Sequence, residues 1–157
     1  MNTNVSVTIS WIAPNNGGST ITSYTIAIRQ NDGTTYTPES TNCNVSTTSC
    51  TVPISVLQAS PYNLAWGSSV WATVLATNVV GSSAASAPGY GATILTNPDP
   101  PSLLTNNAAI TSASVIGMTW TAPSVVGGTP VIDYRVTWDQ GTSTYTVLAT
   151  GITTTSY

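Results

Sequence analysis

The stretch Val5–Pro14, VSVTISWIAP, indicates the fold class of this chain more clearly than any other segment. Its hydrophobic residues alternate with serine and threonine, which places the hydrophobic side chains on one face of an extended strand. A turn rich in Asn and Gly follows at 15–18, and a second alternating strand opens at Tyr24. Two such strands joined by turn residues predict antiparallel β-structure.

The same pattern returns later in the chain, in the stretch Ile116–Pro123, IGMTWTAP. Trp11 and Trp120 lie 109 positions apart, and each is followed by Ala-Pro, a Gly-Gly pair and a strand that opens with Tyr. A repeat of this size corresponds to one β-sandwich domain rather than to a small solenoid unit. Between the copies, three prolines hold the segment 97–101 extended, so we predict a linker there.

The rest of the first copy also has the pattern of strands. Residues 70–77 alternate over two faces, Asn31-Asp32-Gly33 has the composition of a hairpin turn, and Ala92–Leu95 is predicted to be a last short strand. No window shows the hydrophobic spacing of a capped helix. The fold class predicted from these patterns is therefore all-β.

These motifs resemble a fibronectin type III domain. The Trp, the Ala-Pro pair, the Gly-rich loop and the strand opened by Tyr are similar to the B–C region of that family. Ala76–Ser82 resembles its F strand and F–G turn, and Asp99-Pro100-Pro101 resembles its proline-rich opening. Similar tandem modules occur in large secreted proteins of microbial eukaryotes. The resemblance implies tandem immunoglobulin-like β-sandwiches at the cell surface or outside the cell.

One departure concerns strand F, which a Tyr usually opens in this family. Here Val70 and Trp71 stand at that place, so we expect Tyr62 or Trp66 to fill the space.

The tryptophans divide into two groups. Trp11, Trp120 and Trp138 lie on hydrophobic strand faces and are predicted to pack in the core. For Trp66 and Trp71, core packing competes with stacking on a sugar or on a neighbouring subunit.

Compared with the strands of the family, the chain holds about one and a half modules. Residues 1–96 predict a module that lacks strand A, and 97–101 predict the linker and the start of the next module. Residues 102–157 predict a partial module with strands A, B, C and C′, in which strand E begins at the end and strands F and G are missing. Without strand F, strand C would have an open edge and an uncovered hydrophobic face. The assembly interface candidates are Tyr134, Val136, Trp138, Ile152 and Tyr157.

Three explanations for the partial module remain open. Either the chain continues and completes the fold, or another copy completes it by β-strand addition, or the partial module is disordered. The first two predict head-to-tail continuity, and head-to-tail contacts that do not close into a ring generate filaments.

The composition excludes several classes of function. Only 4% of the residues are charged and the net charge is -3, so there is no basic patch to neutralise nucleic-acid phosphates. No hydrophobic run approaches the length of a membrane span. A surface with so little charge favours association, and glycans or burial in an assembly would keep such a surface soluble.

Cys43 and Cys50 are the only cysteines, and we predict that they form a disulfide, as in other secreted proteins. A metal site built from two thiolates is a poor alternative, because the chain has no His to complete it. Asn4 and Asn44 each begin an N-x-Ser motif and are candidates for N-glycosylation. Chance explains such triplets in a chain rich in Asn and Ser, so both stay hypotheses.

The sequence contains few residues of the types that serve in catalysis. There is no His or Lys, Glu39 is the only Glu, and a Ser nucleophile would have no imidazole to activate it. Asp32 and Asp139 are predicted to serve turn geometry, and Asp99 alone is too little for a calcium site. We expect no enzymatic activity, no metal and no cofactor apart from covalent glycans.

The leading hypothesis is a structural repeat unit of an extracellular, glycosylated fibre or surface coat. Its partners would be copies of itself in a head-to-tail polymer, or the continuation of the same chain. The alternative is an adhesive or carbohydrate-binding module of a larger secreted protein, which would present the 43–50 loop and the 15–20 turn to its ligand.

Overall fold

The computed structural model describes residues 6–43 and 46–157, and over these residues the chain is all-β with one short helix. The chain divides into two compact units, Met1–Leu95 and Thr96–Tyr157, here called unit 1 and unit 2. Unit 1 contains the elements β1 (Ser6–Ser10), β2 (Ile21–Arg29), β3 (Tyr36–Pro38), β4 (Ser49–Pro53), α1 (Ile54–Gln58), β5 (Ser69–Asn78), β6 (Gly81–Ser82) and β7 (Gly89–Thr93). Unit 2 contains β8 (Ser102–Asn106), β9 (Met118–Thr121), β10 (Tyr134–Trp138) and β11 (Thr146–Ile152).

Unit 1 is a sandwich of two antiparallel sheets. One sheet pairs β1 with β4, and the other has the order β3-β2-β5, with both β6 and β7 paired to the far side of β5. Hydrophobic residues of the two sheets pack into one core, in which Ile26, Ile28 and Val52 are fully buried. The alternation predicted for the second strand is therefore confirmed, since its inward residues are the ones that are buried.

The helix α1 is one of the elements that the sequence patterns did not predict. It follows Pro53, whose φ of -59° suits the start of a helix, and it buries Ile54 and Leu57 on one face. Five residues are too few to show a periodic pattern, which is why the hydrophobic spacing gave no helical signal.

The last strand of unit 1 lies slightly earlier than predicted. We expected Ala92–Leu95, whereas β7 spans Gly89–Thr93. Gly89 and Gly91 interrupt the alternation of hydrophobic and polar residues, so the pattern hid the first half of the strand.

Tyr62 and Trp66, which were expected to compensate for the missing Tyr near the start of β5, both lie in or against the core of unit 1. Tyr62 is buried in the core, and Trp66 is half-buried against it. Both residues that the sequence suggested as substitutes therefore contribute to the core.

Unit 2 consists of two separate strand pairs, β8 with β9 and β10 with β11. The end of the chain also pairs with β9, because Met118 and Tyr157 exchange backbone hydrogen bonds of 2.7 and 2.9 Å. Within residues 96–157, which are described in full, Trp120 and Pro123 are the only buried residues with a bulky hydrophobic side chain. The core of unit 2 is thus much smaller than that of unit 1.

The proline-rich segment 97–101 has no regular secondary structure, but it is hydrogen-bonded within unit 2. The backbone N–H groups of Thr96 and Asp99 donate to the carbonyl oxygens of Gly127 and Val125. Gly127 has a φ of +72°, and an added Cβ would collide with the Thr96 carbonyl. Only glycine fits at this position.

Candidate functional site

The strand β10 is held in unit 2 by the same aromatic contact that holds β2 in unit 1. Trp11 packs edge-on against Tyr24 with ring centroids 5.2 Å apart, and Trp120 packs edge-on against Tyr134 with centroids 5.4 Å apart. Within the described residues, neither indole Nε1 has a hydrogen-bond partner, although both are buried. The repeated sequence pattern thus produces the same local geometry twice.

The glycine pairs that precede these strands are also alike. Gly17 and Gly18 have φ values of +64° and +86°, and Gly127 and Gly128 have +72° and +93°. Because this region of φ is strained for other residues, each pair sets the turn that leads into its strand.

The two equivalent strands differ in their partners. β2 is paired with β3 on one edge and with β5 on the other. β10 is paired with β11 on one edge, and its other edge has no partner strand among the described residues. Unpaired N–H and C=O groups of an edge strand are a template for pairing with another chain.

The five interface candidates do not form one uniform surface. Tyr134, Val136 and Ile152 are half-buried, and Tyr134 is directly opposite Ile152 in the β10–β11 pair. Trp138 and Tyr157 are each 43% exposed. The backbone of Tyr157 belongs to the other strand pair, through Met118.

The prediction that Trp138 packs in the core is wrong for this structure. Trp120 covers Tyr134 at the start of β10, whereas Trp138 at the other end remains largely exposed. Hydrophobic side chains elsewhere in unit 2 are also exposed, and they include Leu103, Ile116, Ile132, Tyr145 and Val147. Such side chains mark an interaction surface where they form one contiguous patch, whereas single exposed hydrophobic residues are normal.

A second unpaired strand edge lies in unit 1, on β1. Among residues 6–43 and 46–157 the strand is paired with β4 on one side only, and a groove of about 440 Å³ runs between its other side and strands β5 and β7. Residues 7–11 line one wall of the groove, and 86–92 contribute to the other. In unit 2 the corresponding edge of β9 is covered by β8.

The disulfide between Cys43 and Cys50 is present, with Cα atoms 5.2 Å apart. Both cysteines are buried and belong to the core of unit 1. The glycosylation candidates Asn4 and Asn44 lie outside the described residues, so both remain predictions.

The 15–20 turn, which was predicted to present itself to a ligand, is tied to the body of unit 1. The Asn78 side-chain amide donates to the carbonyl oxygens of Asn16 and Ser19, at 3.1 and 3.3 Å. Its Oδ1 also accepts from the N–H groups of Val80 and Gly81, which shapes the turn after β5. One Asn side chain therefore fixes two turns.

The aspartates of the predicted turns have the role expected of them. Asp32 Oδ1 accepts from the N–H groups of Thr34 and Thr35, and Asp139 Oδ1 accepts from the N–H of Gly141. The hydrogen bond from the Thr35 side chain, together with the backbone bonds, lowers the pKa of Asp32 to about 2.

A buried carboxylate, Glu39, was missed by sequence reasoning. It is only 5% exposed, and its Oε1 accepts from the N–H groups of Thr41 and Asn42 and from the Asn42 side chain. Its Oε2 accepts from the Tyr62 hydroxyl at 3.2 Å. Burial alone would raise the pKa of Glu39, but the hydrogen bonds from Asn42, Thr41 and Tyr62 outweigh it and lower that pKa. Burial and the Glu39 charge raise the pKa of Tyr62.

No group of three or more His, Cys, Asp or Glu side chains comes together as a metal site in 6–43 and 46–157. Over the same residues, no helix has both the length and the hydrophobicity that a membrane span requires.

Comparison with known proteins returned a structural match only. No family model matches the sequence, and no curated protein matches it. Among solved structures, the chain is similar to the crystal structure of chicken CNTN1 FN1-FN3 domains, which are fibronectin type III domains. The sequence identity is 18% and the TM-score 0.41, and the match covers 98% of this chain. The chain spans 50% of that structure's length. The all-β fold class of this chain is established by its own strand pairing.

Proposed function

We propose that this chain is a structural repeat unit of an extracellular fibre or surface coat. Each copy is joined to the next by a strand that pairs with β10 and covers its exposed face, and this strand comes from another copy or from the continuing chain. The observation that carries the proposal is the unpaired edge of β10, since the equivalent strand β2 is paired on both edges.

The position of the open edges supports a head-to-tail arrangement. One open edge, on β1, belongs to unit 1, and the other, on β10, belongs to unit 2. An interface between two different surfaces repeats without closing unless the rotation forms a ring, so it generates filaments. Strand addition at such an edge takes its affinity from main-chain hydrogen bonds and its specificity from the alternating side chains.

The composition and the disulfide agree with an extracellular assembly. Disulfides persist in oxidising compartments, and unit 1 holds one in its core. With 4% charged residues, the chain has little electrostatic repulsion to oppose association. Glycans at Asn44 and Asn4 are part of the proposal, and intact mass before and after deglycosylation of the secreted protein tests them.

The test of assembly compares the purified chain with a variant of its open edge. Light scattering and negative-stain images should show elongated oligomers that grow with concentration. Trp138→Lys should abolish them, because a lysine on an edge strand opposes pairing and a charge cannot be covered by the neighbour. Val79→Lys, at a side chain that is 84% exposed in the turn after β5 of unit 1, is the matched control and should assemble normally. Discrete monomers at every concentration would contradict the proposal.

The alternative function, an adhesive or carbohydrate-binding module of a larger secreted protein, is favoured by a different observation. Tyr90 is a large aromatic residue on unit 1 that is 71% exposed and lies on a strand of the larger sheet. Exposed aromatic side chains that are held in place serve as contact surfaces for ligands.

A further inference from the structure

Four side chains form one row across the outer face of the larger sheet of unit 1. Arg29 is opposite Tyr36 in the β2–β3 pair, and Trp71 is opposite Tyr90 in the β5–β7 pair. The pairing of Ile28 with Ala72 places Arg29 beside Trp71. One residue from each of four neighbouring strands thus contributes to the row.

Three members of this row are stacked on one another. The Arg29 guanidinium lies 4.5 Å from the centroid of the Trp71 ring, and the Trp71 and Tyr90 rings are stacked with centroids 4.2 Å apart. Because β5 lies between β2 and β7, Arg29 and Tyr90 contact Trp71 from opposite sides. The cation–π contact with Arg29 and the stacking with Tyr90 therefore fix the orientation of the Trp71 ring. The Trp71 ring in turn covers one face of the Tyr90 ring.

A bulge in β7 places Tyr90 on this outer face. Val70 pairs with Ala92 and Trp71 pairs with Tyr90, so Gly91 is an extra residue between the two pairs. Without the extra residue, Tyr90 would be opposite Ala72, which faces the core. A bulge that redirects a side chain in this way is typical of functional positions in sheets.

The surroundings of Tyr90 leave its second ring face open. Its neighbours in sequence, Gly89 and Gly91, have no side chains, and a Cβ added at Gly91 would meet nothing within 4 Å. Beside the row on the same face lie the small residues Ala27 and Thr73. The Tyr90 ring is thus a fixed aromatic plane that projects beyond its neighbours.

We infer that this row is a binding site for neutral carbohydrate, in which Tyr90 stacks on the hydrophobic face of a sugar ring. A pyranose has a face of C–H groups and a rim of hydroxyls, which match an aromatic plane beside hydroxyl and guanidinium groups. Arg29 and Arg135 are the only cations of the chain, so no electrostatic field selects a polyanion. A protein partner would need a wider hydrophobic patch, whereas small and polar residues adjoin this row.

The sugar site gives the alternative function a defined location and does not require assembly, although Tyr90 also lines the groove beside β1. Trp71, for which core packing and stacking on a sugar were both considered, is stacked on Tyr90 and supports the sugar-binding residue from behind. The expected contact residue is Tyr90, with Arg29 and Tyr36 as the polar groups along the row.

The experiment measures binding of cellohexaose, chitohexaose and soluble mannan by calorimetry and by the change in tryptophan fluorescence. It uses the Trp138→Lys background, so that polymerisation adds no avidity and failure of assembly does not affect the result. At least one of these neutral probes should bind. Tyr90→Ala should weaken binding about tenfold or more, and Tyr90→Phe should keep most of it, because stacking needs the ring.

Tyr145→Ala is the matched control, since Tyr145 is 70% exposed in unit 2 and lies outside the row. It should bind as the parent does, and all three variants should have unchanged thermal unfolding because both tyrosines are exposed. No binding of any neutral probe would overturn the inference. Equal binding by Tyr90→Ala, or binding of heparin alone that depends on Arg29, would also overturn it.

Discussion

The strands β2 and β10 occupy equivalent positions in the two units, yet only β2 is buried. Both begin with a Tyr that packs edge-on against a Trp, at nearly the same distance and angle. From there they diverge, since Ile28 in β2 is fully buried whereas Trp138 in β10 is 43% exposed. The local sequence explains the shared contact, and the neighbouring strands explain the difference in burial.

The largest expected effect concerns the core itself. Ile26→Ala should destabilise unit 1 by about 3 kcal/mol, because it removes a fully buried side chain and leaves a cavity. Val136→Ala at the equivalent position of β10 should cost about 1 kcal/mol or less, because Val136 is half-buried. Urea unfolding of each variant measures both values. Equal losses would mean that β10 is as well covered as β2.

Loss of the disulfide should also destabilise unit 1 and leave unit 2 unaffected. Cys43 and Cys50 are seven positions apart and buried in the core of unit 1, and loss of their bond releases the short loop between them. We expect a Cys43→Ala/Cys50→Ala variant to lose about 2 kcal/mol, by the entropy of loop closure. Hydrogen exchange should show faster opening in β2 and β5, with no change in β10. A change confined to unit 2 would contradict this.

Acidic pH should lower the stability of unit 1, because it protonates the Glu39 carboxylate. The folded state lowers the pKa of Glu39 below its usual 4.5, so the stability from its ionised form is present above that pH. It is lost as the pH falls below about 4.5 and the carboxylate is protonated in the folded state. Unfolding followed from pH 6 to pH 2 should show this loss, and Glu39→Gln should have a flatter profile. An identical profile for Glu39→Gln would exclude this role.

The smallest of these effects concerns Asn78. Replacement by Ala removes its hydrogen bonds to the 15–20 turn and to the turn after β5. The cost should be about 1 kcal/mol, because water replaces some of the lost bonds. Asn106→Ala, whose side-chain oxygen accepts a single bond from the Thr111 hydroxyl, is the control and should cost less. Similar losses for both variants would show that Asn78 does not tie the two turns together.

Much of this structure could be predicted from alternation and repetition. The strands around Trp11, Tyr24 and Trp120 follow from period-two patterns, because one face of each strand is hydrophobic. The disulfide followed from the even cysteine count, and the prediction is confirmed. The open edge of β10 was expected because the strand that would pair with it is missing from the sequence pattern. Its role as an interface remains a proposal.

Other features could not be predicted, for physical reasons. Glu39 and Tyr62 are 23 positions apart, so only the fold brings the carboxylate and the hydroxyl together. The bulge at Gly91 depends on how β7 pairs with β5, and glycine gives no pattern of alternation that could reveal it. Such features depend on pairing over long sequence separations, which local patterns do not report.

Hydrogen exchange of residues 134–138, compared with 24–28, tests the proposed interface most directly. The β2 amides should be protected at every protein concentration. The β10 amides should exchange faster in dilute monomer and become protected when the chains assemble, because the open edge is then paired. Full protection of β10 in the monomer, or assembly that leaves its exchange unchanged, would contradict the proposal that this edge joins the copies.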